Sequence, residues 1–596
     1  MAKDQEPLLA EDRPSSPESS ERHEEEEDAL LSGQQRPQSS KYGWPFWREV
    51  GIFTWAIIAT ALVIVLAVLY KQSETSRPRS SGGWGKDGKP SGKRNMIFMV
   101  SDGMGPTSLS LTRSFRQAES GLPLEDVLVL DQHLIGSSRT RSTSSLITDS
   151  AAGATAFSCG KKSYNGAISV LPDHSPCGTV LEAAKKAGYM TGLVVTTRIT
   201  DATPACFAAH VNKREEEDRI AEQMIGEYPL GRVVDLMLGG GKCHFLPNSS
   251  RGSCRADDTD VIEMAKNKDF NYVGDKKGFD GLDFGSAVKL PLLGLFAHTD
   301  IPYEVDRRNM NDIYPSLDEM ARTALKALSD ATKDSDQGFF LMIEGSRIDH
   351  AGHGNDPVAQ VHEVLAYDKA FASVLDFLDK DTVEGVVVGT SDHETGGLAT
   401  ARQLHDAYPI YRWYPDMLVN ATHSAENLAY QLHHKISQHP NWTPDALGTY
   451  IRAQLIELGL GVYDSTDDEL KRLVDNAHDP WPASYVFADI ISRRAQVGWS
   501  THGHSAVDVN IYASNPKHAR QLIGNHENTE IGGFIREYLD LDLDAVTQEL
   551  KEKGATLATT DSWQGKALPE NRTHADLDHY QGDFKRSLEC GCGAPH

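Results

Sequence analysis

Apolar residues fall into two kinds of run along this chain. From about residue 94 onward, short unbroken apolar runs alternate with longer stretches whose apolar positions recur at helical spacing. The short runs include Met96–Val100, Leu193–Val195, Phe339–Ile343 and Val386–Val388, and continuous apolarity is what a strand buried on both faces requires. The longer stretches predict helices near Thr179–Ala187 and through Val358–Leu378. Strands alternating with helices make an α/β protein, and a three-layer α/β/α sandwich around a large, mostly parallel sheet is expected. No self-similarity at solenoid periods interrupts the pattern.

Upstream, the pattern changes twice. Residues 1–49 are rich in Glu, Ser, Pro and Gln, with almost no aromatic content before Tyr42; so little apolar surface cannot offset chain entropy, and a disordered tail is expected. Val50–Tyr70 then carries no charge, and its length as a helix, roughly 31 Å, matches the hydrocarbon core of a bilayer. A transmembrane helix over 50–70 is therefore expected, with Trp44, Trp47 and Tyr70 as interfacial anchors. Residues 71–93 read as a Ser/Gly/Lys linker. The linker contains a near miss to a phosphate-binding loop, but Pro90 stands where Ser or Thr is needed and no strand precedes it.

Charge flanking the span is ambiguous about orientation. Lys71, Arg77, Arg79, Lys86 and Lys89 follow it, while Arg36, Lys41 and Arg48 precede it; alone, this would keep the body in the cytosol. Against it stand glycosylation sequons beginning at Asn248, Asn420, Asn441 and Asn571, all on one side of the span, with Cys243 and Cys254 flanking the first. Two acidic dileucine patterns in the tail, Asp4 to Leu8-Leu9 and Glu26 to Leu30-Leu31, are similar to cytosolic sorting signals read by adaptors for lysosome-like organelles. The second set outweighs the first and predicts a single-pass type II protein with a lumenal body.

The formal net charge of −26 over 596 residues, with no basic stripe, argues against a nucleic-acid partner. If such a chain acts on an anionic ester, its positive charge must be local: metal ions or a few placed arginines.

The acids fall where such charge would be needed. Met96–Val100 runs into Ser101-Asp102, Phe339–Ile343 into Glu344, and Val386–Val388 toward Ser391-Asp392-His393. In a parallel sheet these are carboxyl ends of strands, the edge at which α/β proteins bind ligands. Three carboxylates gathered there repel one another unless cations intervene. Asp349 and His353, four apart at the start of a helical pattern, can ligate one ion, and Asp392-His393 offers a second oxygen and nitrogen pair; imidazole with carboxylate suits zinc. Ser150, in Thr148-Asp149-Ser150-Ala151-Ala152, precedes a run of small helix formers. An isolated serine there is an N-cap, but beside zinc it is a candidate nucleophile needing no histidine base. No Gly-x-Ser-x-Gly elbow exists, which disfavours a serine-triad esterase.

Taken together, Asp102-Gly103-Met104-Gly105, Thr148-Asp149-Ser150-Ala151-Ala152, Asp201-Ala202-Thr203-Pro204 with Arg214, Glu344 to Asp349 and His353, Thr390-Ser391-Asp392-His393, and Thr501-His502-Gly503 closely resemble the metal-dependent alkaline phosphatases. With its tail and anchor the chain is most similar to their fungal vacuolar branch. The resemblance implies a catalytic domain over 94–545 with a cap-like insertion at 400–497, followed by a C-terminal extension over 546–596. It implies two zinc ions, one held by Asp349, His353 and His502 and one by Asp102, Asp392 and His393, and one magnesium ion bound by Thr203 and Glu344 with Asp102 bridging. Arg214 would clamp the phosphoryl group, Asp201 would reach magnesium only through water, and His350 would be a phosphate contact or a weak alternative metal ligand. His504 lies two residues from His502 and stays an alternative ligand. The implied reaction is hydrolysis of phosphate monoesters through a phosphorylated Ser150, in a homodimer at the vacuolar membrane. A phosphodiesterase or sulfatase of the same superfamily, or an inactive membrane-anchored scaffold, are the alternatives.

Overall fold

The computed structural model describes residues 54–56, 58–63, 89–90 and 92–553. Residues 1–49, most of the linker and residues 554–596 lie outside the described residues. The expected span at 50–70 is described only at 54–56 and 58–63, which are helical; among the described residues no helix is long and apolar enough to cross a membrane.

The body is built on a ten-stranded sheet. In chain order the strands are β1 (Arg94–Val100), β2 (Leu134–Arg139), β3 (Met190–Arg198), β4 (Leu236–Gly240), β5 (Asn271–Val273), β6 (Leu292–Leu295), β7 (Phe339–Glu344), β8 (Glu384–Thr390), β11 (Val509–Ala513) and β12 (Gly524–Glu527), with a separate two-stranded ladder of β9 (Glu394–Thr395) and β10 (His504–Ser505). The spatial order is β12-β2-β11-β8-β1-β7-β3-β4-β6-β5. Within this sheet every pairing is parallel except those of β11, which runs antiparallel to both β2 and β8; the β9–β10 ladder is antiparallel. All four apolar runs singled out in the sequence are strands, and β8, β1, β7 and β3 lie side by side at the centre.

Why these runs are unbroken follows from the layers. Met96, Phe98 and Val100 of β1 face one core, together with Phe340, Met342, Val386 and Val388. Ile97 and Met99 face the other, with Phe339, Leu341, Ile343 and Val387. Successive residues point to opposite faces of a strand, so a sheet covered on both sides needs apolar residues at every position. The Ser150–Cys159, Val180–Lys186, Ala202–Ala208 and Asn528–Leu539 helices cover the first face. The Leu317–Ala331 and Pro357–Lys380 helices cover the second. The expected three layers are present.

One boundary differs from the sequence reading. The body continues past 545, because the helix Leu543–Glu552 buries Val546 and Leu550 in the first core. The 400–497 insertion has a core of its own, in which the Ala425–Gln438 and Pro480–Ala495 helices pack with Leu111 and Phe115 of the body.

Two buried acids tie that insertion down, and a third, Glu363, holds the body's own Glu304–Arg307 helix. Asp306 accepts a hydrogen bond from Ser424 N at 3.2 Å, Asp356 from Ala425 N at 2.7 Å, and Glu363 from Glu304 N at 2.6 Å. Burial pushes Asp306 up to about 7, Asp356 to about 6 and Glu363 to about 7. A carboxyl whose pKa rises on folding binds its proton more tightly in the native state. Its contribution to stability is complete below the unfolded value and is lost as pH rises through the folded one. Native stability is therefore expected to decline between about pH 4 and pH 7 on account of these groups. Asp306→Asn, which keeps an oxygen acceptor but cannot ionise, is expected to melt at about the parent's temperature at pH 5 and some 1–2 °C above it at pH 8; an offset equal at both pH values contradicts the assignment.

Candidate metal and nucleophile site

The central strands deliver their acids to one edge. In β1, Val100 stands opposite both Glu344 and Thr390, so Asp102, Glu344 and Asp392 emerge side by side just beyond the sheet. Gly103 turns the chain there with φ +76°, and a Cβ on it would sit 2.5 Å from the Asp349 Cα; only glycine admits this turn and this approach together. That closeness brings Asp349 and His353, one turn apart in the helix Arg347–His353, over the same edge.

Ser150 opens the helix Ser150–Cys159, but it is not the cap. Asp149 caps that helix, accepting from Ala152 N at 2.9 Å and also from Gly166 N at 2.8 Å. The serine hydroxyl is thereby spared, and its Oγ lies 3.0 Å from His393 Nε2. Gly153, one turn on, lets the helix settle against Asp392; a Cβ there would meet the Asp392 Cβ at 2.9 Å.

Two ligand sets meet around His393. Asp102, Asp392 and His393 form one, with His393 Nε2 3.2 Å from Asp392 Oδ2 and 3.6 Å from Asp102 Oδ1. Asp349, His393 and His504 form the other, with His353 beside it: His353 Nε2 is 3.3 Å from Asp349 Oδ2 and 3.1 Å from His504 Nε2. The structure thus brings His504, and not His502, against Asp349 and His353. His502 has its Nδ1 2.8 Å from the His353 carbonyl, and its exposed ring lies on Tyr485 with centroids 3.9 Å apart. The cause is the short ladder in which β10 pairs His504 with Thr395. In an extended segment residues 502 and 504 share a face, so spacing alone does not separate them.

The donor chemistry fits divalent cations. His504 Nδ1 faces the Thr148 carbonyl at 2.7 Å, and His353 Nδ1 faces the His502 carbonyl. A nitrogen facing a carbonyl must carry the proton, which leaves each Nε2 as a bare lone pair. Two such lone pairs 3.1 Å apart repel unless a cation accepts both. Asp102 Oδ1 and Asp392 Oδ2 are buried without a hydrogen-bond partner, as acids kept for a metal would be. The electrostatics agree. Burial, then Asp392 and Asp349, pushes Asp102 well above the usual carboxylate range, and burial with Asp349 takes Asp392 up to about 6. Burial depresses His393 to about 4 and His504 to about 3. Burial would raise Asp349 too, but His353 and His504 hold it well below the carboxylate range; for Asp102, Asp392, His393 and His504, acids driven up and imidazoles driven down are what protein alone does to groups arranged for a cation.

Behind Asp102, the Thr203 hydroxyl donates to its Oδ2 at 3.4 Å. Glu344 is almost fully buried, accepts from the Ser346 hydroxyl at 2.7 Å, and is pushed by burial up to about 8. Asp201 is not part of this group. It caps the helix Ala202–Ala208 and reaches Arg214, whose Nη2 lies 2.9 Å from Asp201 Oδ1 and whose Nη1 lies 3.7 Å from Asp149 Oδ2. Burial would raise Asp201, but Arg198, Arg214 and His350 hold it well below the carboxylate range. His350 takes a hydrogen bond from Arg347 Nε at 3.2 Å and faces Asp300 at 3.7 Å, with burial lowering it to about 4.

The sequence reading missed three contributors. Asp149 was legible as the acid before Ser150, in the position a cap requires. Thr395, whose hydroxyl donates to Asp349 Oδ1 and lies 3.2 Å from His393 Nδ1, and Arg198 carried no local signal, since both act through contacts distant in sequence.

The family model described as alkaline phosphatase matches residues 93–541. The repressible alkaline phosphatase of Saccharomyces cerevisiae is 54% identical over 77% of this chain and 84% of its own length. The alkaline phosphatase of Schizosaccharomyces pombe is 46% identical over 88% of this chain and 94% of its own. The crystal structure of the Thermus thermophilus enzyme superposes with a TM-score of 0.63 at 27% identity, covering 79% of this chain and 98% of that one. With the family model matching residues 93–541 and relatives of 54% and 46% identity covering most of the chain, the chain belongs to the alkaline phosphatase family.

Proposed function

We propose that this chain hydrolyses phosphate monoesters by passing the phosphoryl group first to Ser150 and then to water, with two zinc ions and one magnesium ion at the sheet edge. Hydrolysis of phosphate monoesters follows from family membership, and metal dependence from the family and the donor set together. The observation that carries the finer reading is the Ser150 hydroxyl at 3.0 Å from His393 Nε2, the residue both ligand sets share. Asp349, His353 and His504 would hold one zinc, Asp102, Asp392 and His393 the other, and Thr203 and Glu344 beside Asp102 the magnesium. When bound, these ions supply the positive charge that lowers a hydroxyl's pKa and stabilises negative charge on oxygen.

The side chains define the rest. Ser150 Oγ bonds to phosphorus as the bond from phosphorus to the ester oxygen breaks, and the alcohol departs, taking up a proton. Water then attacks the phosphoserine, the bond to Oγ breaks, inorganic phosphate leaves and Ser150 regains its proton. Two in-line displacements retain configuration at phosphorus. Arg214 sits across from Ser150's helix on Asp149 and Asp201, and its planar fork suits two phosphoryl oxygens. His350, kept neutral by burial, offers that group a hydrogen bond rather than a charge.

One observation favours a rival. The Ser150–His393 contact has the look of a serine–histidine pair that needs no metal. The rival is weak, because the partner of His393 Nδ1 is the Thr395 hydroxyl, not a carboxylate, and an imidazole depressed to about 4 is a poor base.

We place the body in the vacuolar lumen, anchored through 50–70 as a type II protein and paired as a homodimer. Disulfides at Cys159–Cys177 and Cys243–Cys254 support an oxidising compartment. The sequons and tail dileucines support the same side, and family resemblance supports the dimer.

Three outcomes are expected. Quenching turnover of a radiolabelled monoester in acid should leave label on Ser150, and Ser150→Ala should lose that label and at least about a thousandfold in kcat; an unlabelled serine contradicts the nucleophile. His504→Ala should retain about one zinc fewer per chain than the parent on elemental analysis, while His502→Ala keeps the full complement; the reverse would restore the sequence-derived ligand. Chelation should abolish turnover and lower the melting temperature by several degrees, since ions that bind only the native state stabilise it. The metal-free serine–histidine rival predicts activity that survives chelation.

A further inference from the structure

Arg198 lies one residue deeper than anything the reaction touches, yet it is wired to the phosphate-binding arginine. It ends β3 and is only 6% exposed. Its Nε reaches both oxygens of Glu217 at 3.0 and 3.1 Å. Its Nη1 reaches both oxygens of Asp300 at 3.0 and 3.3 Å, and its own backbone N–H donates to Asp300 at 2.9 Å. Its Nη2 faces Asp201 Oδ2 at 3.5 Å. One guanidinium therefore serves three carboxylates, and its position is fixed: Gly241 fits so closely that a Cβ there would sit 2.8 Å from the Arg198 Cβ. On its far side Glu217 is itself held, by the Thr200 hydroxyl at 2.5 Å and by His244 Nε2 at 3.3 Å.

The division of Asp201 between two arginines is the informative feature. Oδ1 takes the Ala202 N–H at 2.8 Å and Arg214 Nη2 at 2.9 Å, while Oδ2 faces Arg198. A carboxylate beside a single guanidinium prefers to grip it with both oxygens. Arg198 holds the second oxygen away, so Asp201 braces Arg214 from one side instead of clamping it. Without Arg198, both oxygens of Asp201 would be free to grip Arg214, which already meets its Oδ1, and would draw the fork back from the phosphoryl group.

We propose that Arg198 is a positioning residue: by competing for the second oxygen of Asp201 it keeps the Arg214 fork turned toward phosphate, and so sets the affinity for the phosphoryl group of substrate and product. This rests on Arg214 binding phosphate, as read above. Arg198 acts on phosphate through other side chains, chiefly Asp201 and Arg214, while its hold on Asp300 faces His350 on the other side.

A double-mutant cycle tests this on the metal-loaded full chain, with inorganic phosphate as competitive inhibitor. Arg198→Gln is expected to raise the phosphate Ki about tenfold and KM in parallel. In an Arg214→Ala background the same change should move Ki less than about twofold. Zinc content should stay at the parent's level. Arg198→Lys keeps the buried charge, and with it the fold, but an ammonium cannot span three carboxylates as a planar fork does; it is expected to raise Ki severalfold and supplies the comparison if the glutamine variant does not fold. An unchanged Ki in the folded variants, or an equal loss in both backgrounds, overturns the inference while leaving the function intact. A phosphate Ki unaffected by Arg214→Ala overturns the reading of Arg214 itself, and the inference with it.

Discussion

Mutual repulsion among carboxylates at one edge of a parallel sheet is the constraint on which the rest of this molecule turns. Four adjacent parallel strands all point the same way, so whatever follows their last residues is forced together. Here that is Asp102, Glu344, Asp392 and, through the neighbouring loop, Asp201. Burial by the flanking helices makes their charges costly, because taking an ion out of water is paid back only by a close counter-charge. Two solutions are used side by side. Asp201 is neutralised by protein, between Arg198 and Arg214. Asp102 and Asp392 keep oxygens with no hydrogen-bond partner, and with His353, His393, His504 and Asp349 they make a cage whose groups suit divalent ions better than one another.

The scaffold explains how such a strained set is held. Its members stand on the ends of β1, β7 and β8, on the Arg347–His353 helix and on the β9–β10 ladder, and each is oriented by a second contact. His504 and His353 are fixed through carbonyls, Asp349 through Thr395, and Asp102 through Thr203. The serine proposed as nucleophile is handled the same way: Asp149 does the capping, so that the hydroxyl of Ser150 is left to face His393. Close approach by the helix is possible only because residue 153 has no side chain. Catalytic placement is thus distributed among residues that never meet the substrate.

Much of this was legible along the chain. Unbroken apolar runs identified the central strands because burial on both faces removes the alternation, and acids directly after those runs marked the edge. The helical spacing of Asp349 and His353 was enough to pair them. What stayed hidden depended on long-range contacts. Choosing between His502 and His504 required the pairing of His504 with Thr395, across more than a hundred residues. Arg198 looked like any strand-end arginine until Glu217, Asp300 and Asp201 were folded around it. The end of the body was misplaced for a simpler reason: Leu543, Val546 and Leu550 form a stripe too short to stand out before its partner, the Val180–Lys186 helix, is known.

Anomalous diffraction at the zinc absorption edge, from crystals of the α/β body, tests the central claim most directly. Two strong peaks should appear, one within about 2.2 Å of the Nε2 atoms of His353 and His504 and the other at the same distance from His393 Nε2, toward Asp102 and Asp392. Catalytically active crystals with no peak at either place would show that the cage of acids and imidazoles is not there to hold metal.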